Sequence, residues 1–126
     1  MKRVVWLIAT VIVLAACGTT DKANEDEGYQ SIDLEEIEAV QKEGAIVMDV
    51  REVDEYNEGH IIHAINMPLT RLQNGERTGL DKEQTYVVVC RSGSRSQTAS
   101  EILYKEGYDV INVSEGMSTW KGPVES

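Results

Sequence analysis

The chain has 126 residues, of which 41% are hydrophobic and 27% charged, and its formal net charge at pH 7 is −10. This length suits one domain built around one hydrophobic core. The acidic balance argues against binding to nucleic acid or to an anionic lipid surface, because both repel a negatively charged protein.

Residues 1–16 have the pattern of a secretory signal. Lys2 and Arg3 form a short positive start, and the run 4–16 that follows carries no charge. This run is shorter than the ~20 apolar residues that a helix needs to span a bilayer. It also ends in small residues, as an export signal does at its cleavage point. The alternative is a short uncleaved membrane anchor, and both interpretations place the remainder outside the cytoplasm at a membrane.

The end of this segment, Leu14-Ala15-Ala16-Cys17, resembles a bacterial lipobox. In such signals the cysteine becomes the lipidated N-terminus of the mature protein. The resemblance therefore implies an extracytoplasmic lipoprotein, anchored to the bacterial cell membrane by a lipid on Cys17. The following stretch is polar and charged, so we predict a disordered acidic tether over 17–28 and a folded domain over 29–126.

The cysteine count limits the possible chemistry. The chain has two cysteines, and lipidation of Cys17 would leave Cys90 as the single free thiol. No disulfide could then form within the mature chain. The two histidines, His60 and His63, have no second cluster of ligands beside them. We therefore expect no metal site and no cofactor.

Short apolar runs alternate with helical patterns along the rest of the chain. A helix is predicted from Asp33, with Glu36 completing a capping box and Gly44 ending it. A buried strand follows at 45–48 and ends in Asp49. The other predicted elements are a helix at 53–58, a strand at 61–66, a helical turn at 69–72, a loop at 73–82, a strand at 86–90, a helix at 96–106, a strand at 110–113 and a short helix within 116–120.

This alternation is typical of an α/β fold with a mainly parallel central sheet flanked by helices. Ligands of such sheets bind at the carboxyl ends of the strands. Asp49 and Cys90 both stand at such ends, which makes them candidates for a functional site.

The loop after Cys90 has the composition of an anion site around a nucleophile. A thiolate is favoured by the positive end of the following helix and by Arg91 and Arg95. Gly93 allows successive backbone amides to converge on one point. The alternative, a buried inert cysteine, fits poorly with so polar a sequence. The candidate substrate-binding residues are Arg91, Ser92, Gly93, Ser94, Arg95 and Ser96.

Enzymes of two reaction classes place a cysteine at the end of a strand, followed by a loop with an arginine and then a helix. The protein-tyrosine-phosphatase signature places five residues between the cysteine and the arginine, whereas four separate Cys90 from Arg95. The shorter loop encloses a smaller anion and moves the guanidinium away from the position that holds a phosphate. Loop length therefore favours sulfur chemistry over phosphatase or arsenate reductase activity, without excluding them.

Three stretches together resemble the single-domain rhodanese-like sulfurtransferases. The first is VMDVREVDEYNEGHIIHAINMP at 47–68, the second is CRSGSRS at 90–96, and the third is GYDVINVSEGMSTW at 107–120. They occur in the family's order and span most of the chain from Tyr29 to Pro123. The family usually has two glycines before the last turn, where this chain has Glu115 and Gly116, and we expect the change to be tolerated.

The resemblance implies a three-layer α/β domain in which Cys90 takes a sulfane sulfur and holds it as a persulfide. The backbone amides of 91–96 would surround the outer sulfur. Arg91 and Arg95 would attract a small anionic donor such as thiosulfate and stabilise the thiolate. The sulfur would then pass to cyanide, a thiol or a partner protein.

Other matched residues would support the loop. Arg51 is expected to be structural, paired with Glu55 or Glu58. Asp49 could either orient the active-site loop or cap its own strand. His60 is expected to be structural, since its family counterpart belongs to a Gly-His-Ile turn.

A third possibility is a tethered binding or sulfur-sensing module without catalysis, although an intact cysteine loop argues against it. Cys90 would have no resolving cysteine in its own chain, so a persulfide on it would need an outside acceptor. No feature of the sequence indicates an oligomer, and we expect a monomer.

Overall fold

The computed structural model describes residues 28–126, so the predicted signal at 1–16, Cys17 and all but the last residue of the predicted tether lie outside the described residues. The strands are β1 (Gln30–Ile32), β2 (Ile46–Asp49), β3 (His60–Ile61), β4 (Ile65–Asn66), β5 (Thr85–Cys90), β6 (Asp109–Gly116) and β7 (Val124–Glu125). The helices are α1 (Ile37–Lys42), α2 (Val53–Glu58), α3 (Leu69–Gln73) and α4 (Ser94–Lys105), with 3-10 turns at Leu34–Glu36 and Met117–Thr119.

Five of the strands form one sheet in the order β1-β6-β5-β2-β4, and every neighbouring pair in it is parallel. Strands β3 and β7 form a separate antiparallel pair. Helices lie against both faces of the main sheet. The predicted α/β fold with a mainly parallel central sheet and flanking helices is therefore confirmed.

Side chains that alternate along β5 build a hydrophobic cluster on each face of the sheet. Tyr86, Val88 and Cys90 join a cluster that includes buried residues of α3 and α4. Val87 and Val89 join a second cluster that includes residues of α1 and the first 3-10 turn. Because both faces of β5 are covered, its sequence is a nearly continuous apolar run, as expected for a central parallel strand.

The prediction of one strand at 61–66 was wrong. The chain instead makes a tight turn, in which the backbone N–H of Ala64 donates to the carbonyl of Ile61 at 2.9 Å. His63 takes a left-handed conformation with φ of 70° in this turn. The two halves therefore join different sheets, as β3 and β4. Strands β1 and β7 were not predicted, since each is too short to show a periodic pattern.

The helix after Cys90 begins two residues earlier than predicted. Gly93 is its N-cap, and Ser94 is its first residue. Arg95 and Ser96 consequently belong to the first turn of α4, and the loop proper consists of only three residues, 91–93. Within residues 28–126, no helix is long and apolar enough to cross a membrane.

Candidate active site

Cys90 is the last residue of β5, and its side chain is buried, with 1% of the residue exposed. It stands opposite Gly116 of β6. Between the pairs Val88–Asn112 and Cys90–Gly116, β6 uses two more residues than β5 does. This bulge ends regular pairing beside the cysteine and turns the end of β6 towards the loop.

Backbone amides converge on the sulfur of Cys90. The N–H of Gly93 donates to Sγ at 3.1 Å. Burial raises the pKa of the Cys90 thiol, but hydrogen bonds from the Ser96 hydroxyl and from the amides of Ser96, Gly93 and Ser92 outweigh it. The net pKa lies below the ordinary thiol value, so these groups favour the thiolate.

Ser96 is fully buried and is close enough to assist this ionisation. Its hydroxyl donates to the carbonyl of Gly93 at 3.1 Å and also lies 3.3 Å from the carbonyl oxygen of Val113. A serine hydroxyl has one proton, so it can bond to only one of these oxygens or to the sulfur at a time. We infer that it turns towards Sγ when the thiol ionises.

Two glycines make the close packing of this loop possible. Gly93 has φ of 103°, and a Cβ there would lie 2.5 Å from the carbonyl oxygen of Ser114. A Cβ at Gly116 would lie 2.3 Å from the carbonyl of Arg91. That same carbonyl accepts a hydrogen bond from the N–H of Ser118 at 3.0 Å. The end of β6 and the turn after it therefore hold the loop in place.

The substitution of Glu for the family's usual first glycine is explained by its position. Glu115 is exposed, and its carboxylate accepts a hydrogen bond from the N–H of Leu34 at 3.3 Å. A side chain at this position therefore points away from the cysteine loop, whereas one at Gly116 would collide with it.

The two arginines that follow Cys90, one in the loop and one in the first turn of α4, have different environments. Arg91 is exposed. Arg95 is partly buried and makes two parallel hydrogen bonds to the carboxylate of Glu55, at 2.7 and 2.9 Å. The arrangement is a bidentate charge pair. The prediction of two free positive charges after Cys90 is therefore wrong for Arg95, because Glu55, which lies 40 residues away in sequence, compensates it.

The partner of Arg51 is Asp49, so the prediction of a pair with Glu55 or Glu58 was wrong. The guanidinium of Arg51 bonds to both oxygens of Asp49, at 2.7 to 3.1 Å, and to the carbonyl of Gly59 at 2.8 Å. Asp49 is fully buried and Arg51 is 7% exposed. Both side chains are therefore structural elements at the carboxyl end of β2.

This end of β2 is tied to the neighbouring strands. The backbone N–H of Val50 donates to the carbonyl of Val89 at 2.9 Å, and the side-chain amide of Asn66 donates to the carbonyls of Asp49 and Arg51. The Asp49 carboxylate itself accepts hydrogen bonds from the backbone N–H and the guanidinium of Arg51, at the end of the strand that lies beside β5.

His60 is held in a structural setting. Its ring stacks on Tyr56 with centroids 3.6 Å apart, and Nδ1 lies 2.9 Å from the carbonyl oxygen of Tyr56. Its Nε2 lies 3.7 Å from the carboxylate of Glu125 in β7. In the part of the chain from residue 28 onwards, no three His, Cys, Asp or Glu side chains are grouped to hold a metal ion.

Comparison with known proteins agrees with this arrangement. A model of the rhodanese-like domain family matches residues 33–123. The chain is 39% identical over 88 residues to a putative sulfurtransferase YtwF of Bacillus subtilis, covering 70% of this chain and 82% of that one. It is 35% identical over 89 residues to a thiosulfate sulfurtransferase GlpE of Coxiella burnetii, with the same coverage of 70% and 82%.

Among solved structures, a rhodanese-related protein from Thermoplasma volcanium superposes with a TM-score of 0.71 at 32% identity, covering 77% of this chain and 98% of that one. The residues matched by the family model, 33–123, include the Cys90 loop and the ends of β2 and β6 that contact it. The chain belongs to the rhodanese-like domain family.

Proposed function

We propose that this protein is a sulfurtransferase in which Cys90 carries the transferred sulfur. The Cys90 thiolate attacks the outer sulfur of a donor, so that a new S–S bond forms at Cys90 while the donor's own S–S bond breaks. The bonding electron pair leaves with sulfite when the donor is thiosulfate, or with a thiolate when it is a persulfide. An acceptor thiol, cyanide or partner protein then attacks the outer sulfur and releases the Cys90 thiolate.

The observation that carries the proposal is the convergence of amides on Sγ at the N-terminus of α4. Preorganised N–H donors stabilise negative charge without rearranging during the reaction. The same donors can serve the thiolate before transfer and the outer sulfur of the persulfide after it. Family membership and the names of the two relatives support sulfur transfer as the general activity.

The test is the intact mass of the full chain after incubation with a sulfur donor. Cys17 should be replaced by Ser throughout, so that Cys90 is the single thiol. We expect a gain of one sulfur atom that cyanide removes and that Cys90→Ser lacks. If Cys90 stays free and reactive with thiosulfate, persulfide and polysulfide donors alike, the domain is a binding module and the proposal is wrong.

The position of Arg95 argues against phosphatase chemistry. A phosphatase arginine holds the phosphate with its guanidinium, but here both donor groups are directed to Glu55. Hydrolysis of a phosphoester by the purified chain, abolished in Cys90→Ser, would reverse this preference.

We also propose that a lipid on Cys17 anchors the chain to a bacterial cell membrane, outside the cytoplasm. The support is the leader pattern at 1–16 and the residue types before Cys17. In a bacterial host, Cys17→Ser should shift the protein out of the membrane fraction or leave its leader unprocessed. An unchanged mature mass and location would contradict the proposal.

A further inference from the structure

The charge pair between Glu55 and Arg95 lies at the edge of the sheet where β5 ends in Cys90. Arg95 is in the first turn of α4. The hydrogen bonds to Glu55 raise the pKa of the Arg95 guanidinium, and burial opposes this effect. The negative charge of the Cys90 thiolate makes a smaller contribution to the increase, which places it close to Arg95. Glu55 reaches Arg95 from the first turn of α2, which follows β2. Because β2 and β5 are neighbours in the sheet, their carboxyl ends bring these two helix starts together.

Glu55 keeps its charge under all conditions in which a thiol reacts. The hydrogen bonds from Arg95 lower the pKa of Glu55 to about 2, against the opposing effect of burial. Its side chain is 27% exposed and that of Arg95 is 32% exposed, so both charged groups are accessible from solvent.

The pair changes the electrostatic potential near Cys90. Two arginines alone would form a site suited to a dianion. With Glu55 bound to Arg95, and with the charge of Glu52 also acting on Arg95, the exposed Arg91 is the remaining uncompensated arginine of the loop. Opposite charges in direct contact largely cancel each other's field at the distance of a third group.

We propose that Glu55 determines the donor class of this site, favouring a persulfide of low net charge, such as that of a zwitterionic or protein-borne thiol, over dianionic thiosulfate. This inference rests on the proposed sulfurtransferase function. In the favoured step, the Cys90 thiolate attacks the outer sulfur of R–S–SH. A Cys90–S–SH persulfide forms, and RS⁻ leaves with the electron pair of the broken bond.

The first test measures the potential at Cys90 without any sulfur transfer. The full chain with Cys17→Ser is alkylated with iodoacetamide, which is neutral, and with iodoacetate, which carries one negative charge. Both reagents lose iodide to the same thiolate, so the ratio of their rates reports the local charge. The neutral reagent also controls for access to the thiol and for correct folding.

Glu55→Gln retains an oxygen that can accept from Arg95 but removes the negative charge. We expect the iodoacetate-to-iodoacetamide rate ratio to rise by about fivefold at low ionic strength, as one uncompensated charge nearby predicts. The increase should shrink in about 0.5 M salt, where screening is strong. Glu58→Gln is the matched control, because Glu58 is exposed at the other end of α2 and the substitution removes the same charge.

The second test compares donors by the rate of sulfur gain on Cys90. The parent should load faster from cysteine persulfide than from thiosulfate. Glu55→Gln should raise the thiosulfate rate by about 25-fold relative to the persulfide rate, since the effect on a dianion is the square of that on a monoanion. Glu58→Gln should leave the ratio of the two donors within twofold of the parent.

The outcomes separate the two proposals. An alkylation ratio that is equal in Glu55→Gln and Glu58→Gln overturns the role of Glu55, and so does a parent that prefers thiosulfate. If no donor loads Cys90 in any variant while the alkylation ratio shifts as expected, the proposed sulfurtransferase function is overturned. The control of local charge by Glu55 would then still stand.

Discussion

The backbone N–H of Gly93 points at the sulfur of Cys90 from a distance of 3.1 Å. Gly93 makes this contact with φ of 103°, in the left-handed region where a side chain is strained. The same residue is the N-cap of α4. One residue thus ends the loop, starts the helix and donates a hydrogen bond to the sulfur of Cys90.

A first prediction compares two glycines with nearly the same backbone conformation. Gly93 and Gly44 have φ of 103° and 104°, but a Cβ at Gly44 meets nothing within 4 Å. Gly44→Ala should cost about 1 kcal/mol of unfolding free energy from conformation alone. Gly93→Ala should cost about 2 kcal/mol more, because its Cβ collides with the carbonyl of Ser114.

Urea unfolding measures both costs, and sulfur loading measures the effect on the site. Gly44→Ala should load sulfur on Cys90 at the parent's rate, whereas the loading rate of Gly93→Ala should be much lower. Equal stability and loading in the two variants would show that the contact with Ser114 does not constrain the loop.

A second prediction concerns the ionisation of Cys90. Removing the hydroxyl in Ser96→Ala should raise the pKa of Cys90, so the pH profile of alkylation by iodoacetamide should move to higher pH. The matched control is Ser100→Ala, one turn further along α4, where the buried hydroxyl bonds to Asn112 instead. Each variant should lose about 1 kcal/mol of stability with its hydrogen bond, but the control should keep the parent's profile.

The same pKa shift affects stability with a definite sign. The folded pKa of Cys90 lies below its unfolded value, so ionisation contributes stability that is fully present above the unfolded pKa. That contribution is lost as the pH falls through the folded pKa. As the pH rises from the folded to the unfolded pKa of Cys90, the urea midpoint of the parent should therefore increase relative to that of Cys90→Ser. A constant difference between them would mean that the thiol pKa is the same in both states.

A third prediction concerns the buried pair of Asp49 and Arg51. Asp49→Ala should cost about 3–5 kcal/mol, because it leaves a buried guanidinium without its partner. Arg71→Ala is the comparison, since its pair with Glu76 is exposed and 3.9 Å long and should contribute less than about 1 kcal/mol. Similar urea midpoints for the two variants would contradict a structural role for Asp49.

A fourth prediction contrasts two adjacent positions at the end of β6. Gly116 is extended, with φ of −160°, so alanine there is strained only by its collision with Arg91 and Cys90. Gly116→Ala should displace the loop and reduce sulfur loading at least about tenfold, which corresponds to about 1.4 kcal/mol in the transition state. Glu115→Ala should load normally, and a loss of loading in that variant would show that Glu115 supports the site.

Much of the candidate site could be predicted from local features of the sequence. The apolar run before Cys90, the polar loop after it and the helical pattern that follows are local features. Each is set by residue type and spacing, so the α/β class and the place of Cys90 between a buried strand, a polar loop and a helix could be predicted from them. The capping at Asp33 is equally local, and the N–H of Asp33 indeed donates to Glu36 at 2.8 Å.

Charge pairing could not be predicted in this way, because it depends on which strands become neighbours. Arg95 and Glu55 are 40 residues apart and meet because β2 lies beside β5 in the sheet. Arg51 has five carboxylates within seven residues along the chain, and the buried geometry at the end of β2 selects Asp49. The residue types thus determined the composition and local structure of the Cys90 loop. The order of the strands decided which charges near Cys90 are paired and which are not, because it sets which helix starts become neighbours.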